Sequence, residues 1–205
     1  MNVVSLERYR QTAPSRTRPL RRIALHSSFY FDLASPYTYL AAERAERTFA
    51  RLRWLPACMD ALQCGAVTGE DERAFVEERA AQLGLPLVWP AVAPVHRERA
   101  MRVASLAAER GCGSAFVLAA SRLVYCGGYR IDDPEILAEA AAAASIDLDE
   151  MLQAAGDIAR DGPIEQTGRR LLAAGATRLP ALRVGAQLFC GEARLAEAAA
   201  ARASA

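Results

Sequence analysis

The chain has 205 residues, of which 52% are hydrophobic and 24% are charged, and its formal net charge at pH 7 is +1. These proportions exclude a wholly disordered chain, and no uninterrupted apolar run approaches the ~20 residues that span a bilayer. The balanced charge does not imply a broad nucleic-acid surface. We therefore expect one domain, or one domain with an insertion, and neither nucleic acid nor a membrane as partner.

The basic residues are unusual in kind and in distribution. All 25 are arginines, which excludes any reaction that needs a lysine Schiff base or a P-loop lysine. Residues 1–22 contain six of these arginines and one acid, Glu7. We expect this segment to be a basic flexible leader. It lacks the apolar stretch of a secretory signal, so the sequence gives no support for export.

The cysteines indicate reduced thiols. The chain has five of them and only two histidines, and no two cysteines are spaced as Cys-x-x-Cys. A zinc site is therefore not expected, and we predict no metal. An odd number of cysteines without a signal sequence is typical of the reducing cytoplasm, which is the predicted location.

The N-terminal part of the chain predicts a strand, a helix and a second strand. Residues 23–31 are apolar and aromatic, as in a buried strand. Serine before proline is a strong helix start, so we expect Ser35 to be the N-cap of a helix that begins at Pro36 and runs to Ala50. Residues 52–55 predict the second strand. This compact spacing favours parallel pairing of the two strands.

The middle of the chain predicts helices separated by Gly and Pro. Apolar residues at helical spacing indicate helices over 75–83, 97–110, 114–125, 134–144, 147–155 and 162–174. Short apolar runs at 179–184 and 187–190, around Gly185 and Ala186, predict a hairpin. A last helix is expected to begin at Glu192.

This order of elements predicts the α/β class. It is the order of a thioredoxin-like fold with a helical domain inserted between the second strand and the C-terminal β-hairpin. We expect residues 23–66 and 160–205 to form the thioredoxin-like domain and residues 67–159 to form the inserted helical domain.

Two local features indicate a binding site. The turn at Ser35 lies between the first strand and the first helix, where open parallel sheets bind ligands and free N–H groups favour an anion. Ser35 either caps the helix or donates its hydroxyl to a ligand. Pro180 opens a strand although it cannot donate to a ladder. A cis Leu179-Pro180 bond, which would turn the preceding backbone toward a ligand, is one solution.

Six short motifs in a fixed order carry a resemblance to a known group of proteins. They are FYFDLASPYTYLA at 29–41, LGLP at 83–86, WP at 89–90, YRIDDP at 129–134, GATRLP at 175–180 and LFCGEARL at 188–195. Together they resemble the 2-hydroxychromene-2-carboxylate isomerases. These belong with the kappa-class glutathione transferases in the DsbA-like branch of the thioredoxin fold. The resemblance spans about residues 23–200 and leaves out the basic leader.

The resemblance implies glutathione as the cofactor and Ser35 as the catalytic residue, with its hydroxyl bonded to the glutathione sulfur. It also implies that the backbone of Leu179 pairs with the cysteinyl part, and that N–H groups at 191–194 receive the γ-glutamyl carboxylate. The residues that it places against the cofactor are Pro36, Tyr37, Leu179, Pro180, Glu192 and Ala193.

Three positions depart from the pattern of that group. The aspartate that holds the γ-glutamyl amine is replaced by Ala193, next to Glu192. Residues 63–73 are acidic and lack the asparagine and lysine of the corresponding loop. A further asparagine is replaced near His96. We therefore expect altered glutathione contacts.

Three residues are candidates for contacts with a substrate. Trp89 and Tyr129 could line an apolar pocket between the domains, and His96 could act as an acid or a base. Each is equally compatible with a structural role, in the core for the two aromatic residues and at a helix start for the histidine.

The resemblance implies a glutathione-dependent isomerase of the 2-hydroxychromene-2-carboxylate isomerase type that acts on an aromatic or conjugated carbonyl compound. Its expected partner is thus a small aromatic or electrophilic molecule. Related enzymes pair and alanine-rich helices permit close approach, so we expect a homodimer. Two alternatives stay open: a kappa-like glutathione transferase, and a DsbA-like protein that has lost catalysis and serves binding. A dithiol oxidoreductase is disfavoured because Ser35 and Thr38 occupy the positions where Cys-x-x-Cys would carry sulfur.

Overall fold

A computed structural model describes residues 27–58, 69–91 and 97–204. The expected basic leader and His96 lie outside the described residues, as does most of the 63–73 loop. The first predicted strand is described from Ser27 onward.

The described residues form four strands and eight α-helices. The strands are β1 (Ser27–Phe31), β2 (Leu52–Pro56), β3 (Ala181–Val184) and β4 (Gln187–Cys190). The helices are α1 (Pro36–Thr48), α2 (Glu70–Gln82), α3 (Arg97–Glu109), α4 (Gly113–Tyr125), α5 (Pro134–Ala143), α6 (Leu148–Gly156), α7 (Asp161–Ala173) and α8 (Leu195–Ala203). Short 3-10 turns, Ile158–Arg160 and Glu192–Arg194, precede α7 and α8.

The four strands form one mixed sheet in the order β2-β1-β3-β4. β1 pairs in parallel with β2 and antiparallel with β3, and β3 pairs antiparallel with β4. The predicted parallel pairing and the predicted hairpin are therefore confirmed. β3 begins at Ala181 rather than at Leu179. The reason is that Pro180 has no N–H group to donate to the ladder.

The helical insertion predicted from the sequence is confirmed. Six helices, α2 to α7, separate β2 from the C-terminal hairpin of a thioredoxin-like fold. Most helix ends lie within one residue of the prediction, and three boundaries differ by more. Helix α2 begins at Glu70, five residues before the expected start at residue 75, because the acidic first turn at 70–72 lacks the apolar spacing that marked the helix. Helix α1 ends at Thr48, because Phe49 adopts an extended backbone and its ring is buried. The last helix begins as a 3-10 turn, and α8 itself starts at Leu195.

Aromatic and small residues fill the core on which β1 rests. The rings of Phe29, Phe31 and Trp54 lie with their centroids 4.6–6.3 Å apart and are all buried. Buried alanines of α1, among them Ala41 and Ala45, let that helix pack closely. This packing holds the end of β1 and the start of α1 in fixed positions, and the turn between them carries the candidate site.

Two polar contacts anchor the inserted helices. The Tyr125 hydroxyl of α4 donates to the Ala34 carbonyl, at 2.9 Å, in the turn before α1. The buried Arg102 of α3 donates to both carboxylate oxygens of Asp161, at 2.8 and 2.6 Å, and to the Ala155 carbonyl. The first contact joins the insertion directly to the residue before Ser35.

Candidate active site

Asp32 organises the turn between β1 and α1. Its carboxylate accepts the N–H of Ala34 at 2.9 Å. Its carbonyl accepts the N–H of Ser35 at 3.1 Å and the hydroxyl of Thr38 at 2.8 Å. Pro36 follows at the first position of the helix, where the absence of an N–H group costs nothing. The turn is therefore held by its own hydrogen bonds.

The hydroxyl of Ser35 has no partner in this arrangement. The residue is 1% exposed and its side chain makes no capping hydrogen bond. Among the residues that the structure describes, its buried Oγ has no hydrogen-bond partner. Ser35 is thus the N-cap by position, as predicted, but its side chain does not cap. A buried hydroxyl that is free to donate at the start of a 13-residue helix is suited to an anion.

The pairing of β3 with β1 brings Pro180, the second predicted feature, to the end of the sheet where the Ser35 turn lies. Tyr30 lies opposite Ala181, so the same register places Pro180 beside Phe31, at the end of β1. The Leu179-Pro180 bond is cis, as predicted, and Leu179 is buried. The two predicted features therefore lie at the same end of the sheet.

The 3-10 turn before α8 is joined to this edge. The N–H of Gly191 donates to the Pro180 carbonyl at 2.8 Å, and Gly191 has a φ of +92°, which favours glycine. Glu192 is 4% exposed. Ala193 is exposed and carries no polar group.

The carboxylate of Glu192 binds arginines of two helices. It accepts from Arg44 of α1 at 2.9 Å and from Arg79 of α2 at 2.6 Å. The sequence places Glu192 next to the expected cofactor but does not indicate these partners. In the structure its side chain ties the turn to both helices, so only its backbone N–H remains for a ligand.

Tyr37 lies in the first turn of α1 and faces α2. Its hydroxyl donates to Glu72 at 3.2 Å. Burial raises the pKa of Tyr37 to about 12, with the charge and the hydrogen bond of Glu72 as further causes. Tyr37 therefore stays protonated at physiological pH and is a hydrogen-bond donor.

One face of α2 belongs to the site, and the sequence analysis missed it. Glu72, Phe75 and Arg79 have the i, i+3, i+7 spacing of one helix face. Glu72 and Arg79 contact Tyr37 and Glu192, so Phe75 lies between them on the same face, with 55% of its surface exposed. The spacing was visible in the sequence, but the partners of this face were not.

The predicted substrate contacts differ in their surroundings. Trp89 donates to Glu77 at 2.7 Å and has the guanidinium of Arg73 4.8 Å from its ring centroid. Its edge packs on Tyr125, which bonds the turn before Ser35. Tyr129 packs over Gly127 and is half exposed. The structure thus connects Trp89 to the turn through Tyr125, and the roles of Trp89, Tyr129 and His96 in substrate binding stay predictions.

A cavity of about 270 Å³ adjoins the turn at Asp32, where β1 ends. Helices α3 and α7 form its other walls. Its lining is Asp32, Cys58, Arg97, Glu98, Met101, Asp161, Ile164 and Glu165. Four of these side chains are acids and one is an arginine. The excess of negative charge disfavours an anion in this cavity.

Within residues 27–58, 69–91 and 97–204, no group of three or more His, Cys, Asp or Glu side chains is arranged to hold a metal ion. Among the helices of these segments, none is both long and apolar enough to cross a membrane.

Comparison with known proteins agrees with this fold. The DsbA-like thioredoxin domain family matches residues 28–201. A solved 2-hydroxychromene-2-carboxylate isomerase is similar in structure, with a TM-score of 0.74 and 18% identity over 88% of this chain and 95% of that one. No curated protein matches this chain in sequence.

Two further solved structures have the same fold. A probable DsbA oxidoreductase from Streptomyces coelicolor has a TM-score of 0.68 and 19% identity over 88% of this chain and 89% of its own. The cytosolic disulfide reductase DsbM from Pseudomonas aeruginosa, in a structure with GSH, has a TM-score of 0.66 and 18% identity. The match covers 88% of this chain and 96% of that one. At these identities, the likeness establishes the fold.

The first prediction concerns the ion pairs of Glu192. Replacing Glu192 by Ala leaves Arg44 and Arg79 without their shared carboxylate, and we expect the free energy of unfolding to fall by about 2–4 kcal/mol. Glu197→Ala is the matched control, because Glu197 pairs with Arg194 where both side chains are exposed. That change should stay within about 0.5 kcal/mol. Urea unfolding of the wild type and of the two variants measures both changes in the free energy of unfolding. Equal stability of the two variants would contradict the structural role of Glu192.

Proposed function

Because this chain belongs to the DsbA-like thioredoxin domain family, we propose that it is a cytoplasmic glutathione-dependent isomerase of the 2-hydroxychromene-2-carboxylate isomerase type. Its substrate is an aromatic or conjugated carbonyl compound. The observation that carries the proposal is the buried Ser35 hydroxyl at the start of α1, which has no hydrogen-bond partner in the described part of the chain. Thr38, in the other position where a dithiol enzyme carries sulfur, is engaged with the Asp32 carbonyl.

Ser35 serves to stabilise a thiolate. A free thiol with a pKa near ~8.5 is mostly protonated at neutral pH and reacts slowly. A hydroxyl that donates to the sulfur, together with the partial positive charge of a helix start, favours the anion and lowers that pKa. The chain needs no cysteine of its own for this chemistry, because glutathione brings the sulfur.

The reaction is a reversible addition. The thiolate forms a C–S bond at the β-carbon of the conjugated substrate, and the electron pair of the double bond moves to the carbonyl oxygen as an enolate. The former double bond is now single and rotates. The enolate then re-forms the double bond and expels the thiolate. The C–S bond breaks again, so glutathione is not consumed.

The rest of the edge is suited to hold glutathione. The backbone of Leu179 is expected to pair with the cysteinyl part, beside Pro180, Pro36 and Tyr37, whose hydroxyl donates to Glu72. The N–H groups of Glu192 and Ala193 open the turn before α8 and receive the γ-glutamyl carboxylate. The disulfide reductase of similar fold that was solved with GSH supports this choice of cofactor.

The aromatic substrate is expected to lie against the exposed ring of Phe75. This ring lies on the face of α2 that contacts Tyr37 and Glu192. An exposed aromatic side chain beside a polar site is suited to a flat conjugated compound.

A kappa-like glutathione transferase is the alternative activity, and a binding protein without catalysis is the alternative of another class. The neutral Ala193 is the observation that favours loss of the cofactor. Calorimetric titration with glutathione tests all three. A protein that gives neither heat nor a thermal shift at millimolar glutathione is not a glutathione enzyme. If glutathione binds, its consumption during turnover distinguishes the transferase from the isomerase.

The second prediction concerns Ser35. Ser35→Ala should lower turnover of 2-hydroxychromene-2-carboxylate by a factor of about ten to a thousand, by analogy with lost oxyanion donors. The free energy of unfolding should change by less than about 1 kcal/mol, because the side chain makes no capping bond. Ser27→Ala is the control: it removes another buried hydroxyl without a partner, at the opposite end of β1. A Ser35→Ala enzyme with full activity would exclude the catalytic role.

The third prediction concerns Ala193. An aspartate at this exposed position, in the turn before α8, would supply a partner for the γ-glutamyl amine. A charge-assisted hydrogen bond is worth about 1.5–3 kcal/mol, so Ala193→Asp should tighten glutathione roughly tenfold or more. Calorimetry on the wild type and the variant measures the change. Unchanged affinity would mean that the amine does not reach this position.

The fourth prediction concerns assembly. We propose a homodimer, as in the enzymes that the sequence resembles, with close approach of alanine-rich helices. Light scattering at micromolar concentration should give twice the 22.1 kDa mass of one chain. The mass of a single chain would refute the dimer and leave the site unaffected.

A further inference from the structure

Arg178 is an exposed cation beside three segments of the candidate site. It directly precedes the cis Leu179-Pro180 bond. Its side chain lies across Gly191, because a Cβ built on that glycine would be 3.1 Å from the Arg178 Cδ and 3.7 Å from its Cγ. Burial raises the pKa of Tyr37, and the charge of Arg178 is close enough to that hydroxyl to oppose the rise.

The arginines near Arg178 form ion pairs with acidic side chains, whereas Arg178 forms none with the described residues. Arg44 and Arg79 share the carboxylate of Glu192, and Arg194 pairs with Glu197. In the described ranges 27–58, 69–91 and 97–204, no ion pair includes Arg178. A cation with no ion-pair partner in the described part of the chain, at the place where these segments converge, is available to an anionic group of a ligand.

We propose that Arg178 receives the carboxylate of the γ-glutamyl group and makes the site selective for anionic thiols. This inference rests on the proposed glutathione-dependent function. Arg178 lies over Gly191, and the next two residues open the 3-10 turn with N–H groups that lack an acceptor within it. A guanidinium beside such N–H groups matches a carboxylate in charge and in geometry.

The amine of the same γ-glutamyl group finds no counterpart in this turn. Ala193 is neutral, and the carboxylate of Glu192 is already bound to two arginines. Recognition therefore depends on the carboxylate, and the amine contributes little. The ligand class that follows is a thiol with a carboxylate at the γ-glutamyl end, with or without the adjacent amine.

Calorimetry on the full chain tests this with two thiols and three variants. The thiols are glutathione and glutaryl-cysteinyl-glycine, which is glutathione without its α-amino group. Arg178→Gln should weaken both thiols about tenfold or more, and Arg178→Lys should recover part of the loss. Arg170→Gln is the matched control, because it removes an exposed arginine of α7 with the same change in net charge. A thermal melt of each variant confirms that it is folded.

The outcomes separate the inference from the proposed function. Wild type that binds both thiols within about threefold of each other, together with the loss in Arg178→Gln alone, supports the inference. Glutathione that binds wild type and Arg178→Gln equally overturns the role of Arg178 and leaves the proposed function intact. A preference of wild type for glutathione over the deamino thiol by more than about threefold overturns the selectivity for anionic thiols. No binding of either thiol to wild type overturns the proposed function, and this inference with it.

Discussion

The pairing of β1 with both of its neighbours is the constraint on which the site depends. β1 runs parallel to β2 and antiparallel to β3. Because of this register, the end of β1, the start of α1 and the cis Leu179-Pro180 bond meet at one edge. The hydrogen bond from Gly191 to Pro180 then adds the turn before α8. A register shift of one residue would send these groups to the opposite face, so the buried aromatic core that fixes the register also assembles the site.

Two hydroxyls at the start of α1 differ in their hydrogen bonding. Thr38 donates to the Asp32 carbonyl and stabilises the turn, while Ser35 is buried with no partner. A buried polar group without a hydrogen-bond partner lowers the stability of the fold, so such a group calls for an explanation, for example a bond to a ligand. Since Asp32 and Pro36 already hold the turn, the Ser35 hydroxyl is not needed to stabilise it. This difference between the two hydroxyls connects the local structure to the proposed thiolate-dependent reaction.

The charged side chains at this end of the sheet also differ in their partners. The acid of the turn before α8, Glu192, is paired with Arg44 and Arg79 and ties α1 and α2 together. Because the Glu192 carboxylate is bound to these arginines and Ala193 is neutral, the turn has no free carboxylate that could bind the amine of a ligand. Arg178 and the backbone N–H groups provide the positive potential instead. The same pairing orients α2, which exposes Phe75 beside Tyr37. Glu192 therefore influences the expected cofactor and substrate sites without contacting either ligand through its side chain.

Local patterns in the sequence determined the secondary structure and the two ends of the site, because their causes lie within a few residues. Ser35 before Pro36 started α1, Asp133 before Pro134 started α5, and the hairpin and the cis proline were predicted in place. Tertiary structure decided which side chains are free. The ion pairs of Glu192 join it to Arg79 and Arg44, which lie 113 and 148 positions away in the chain, and Tyr37 bonds Glu72, 35 positions away. Such pairings follow from packing of the whole chain, and no local spacing encodes them.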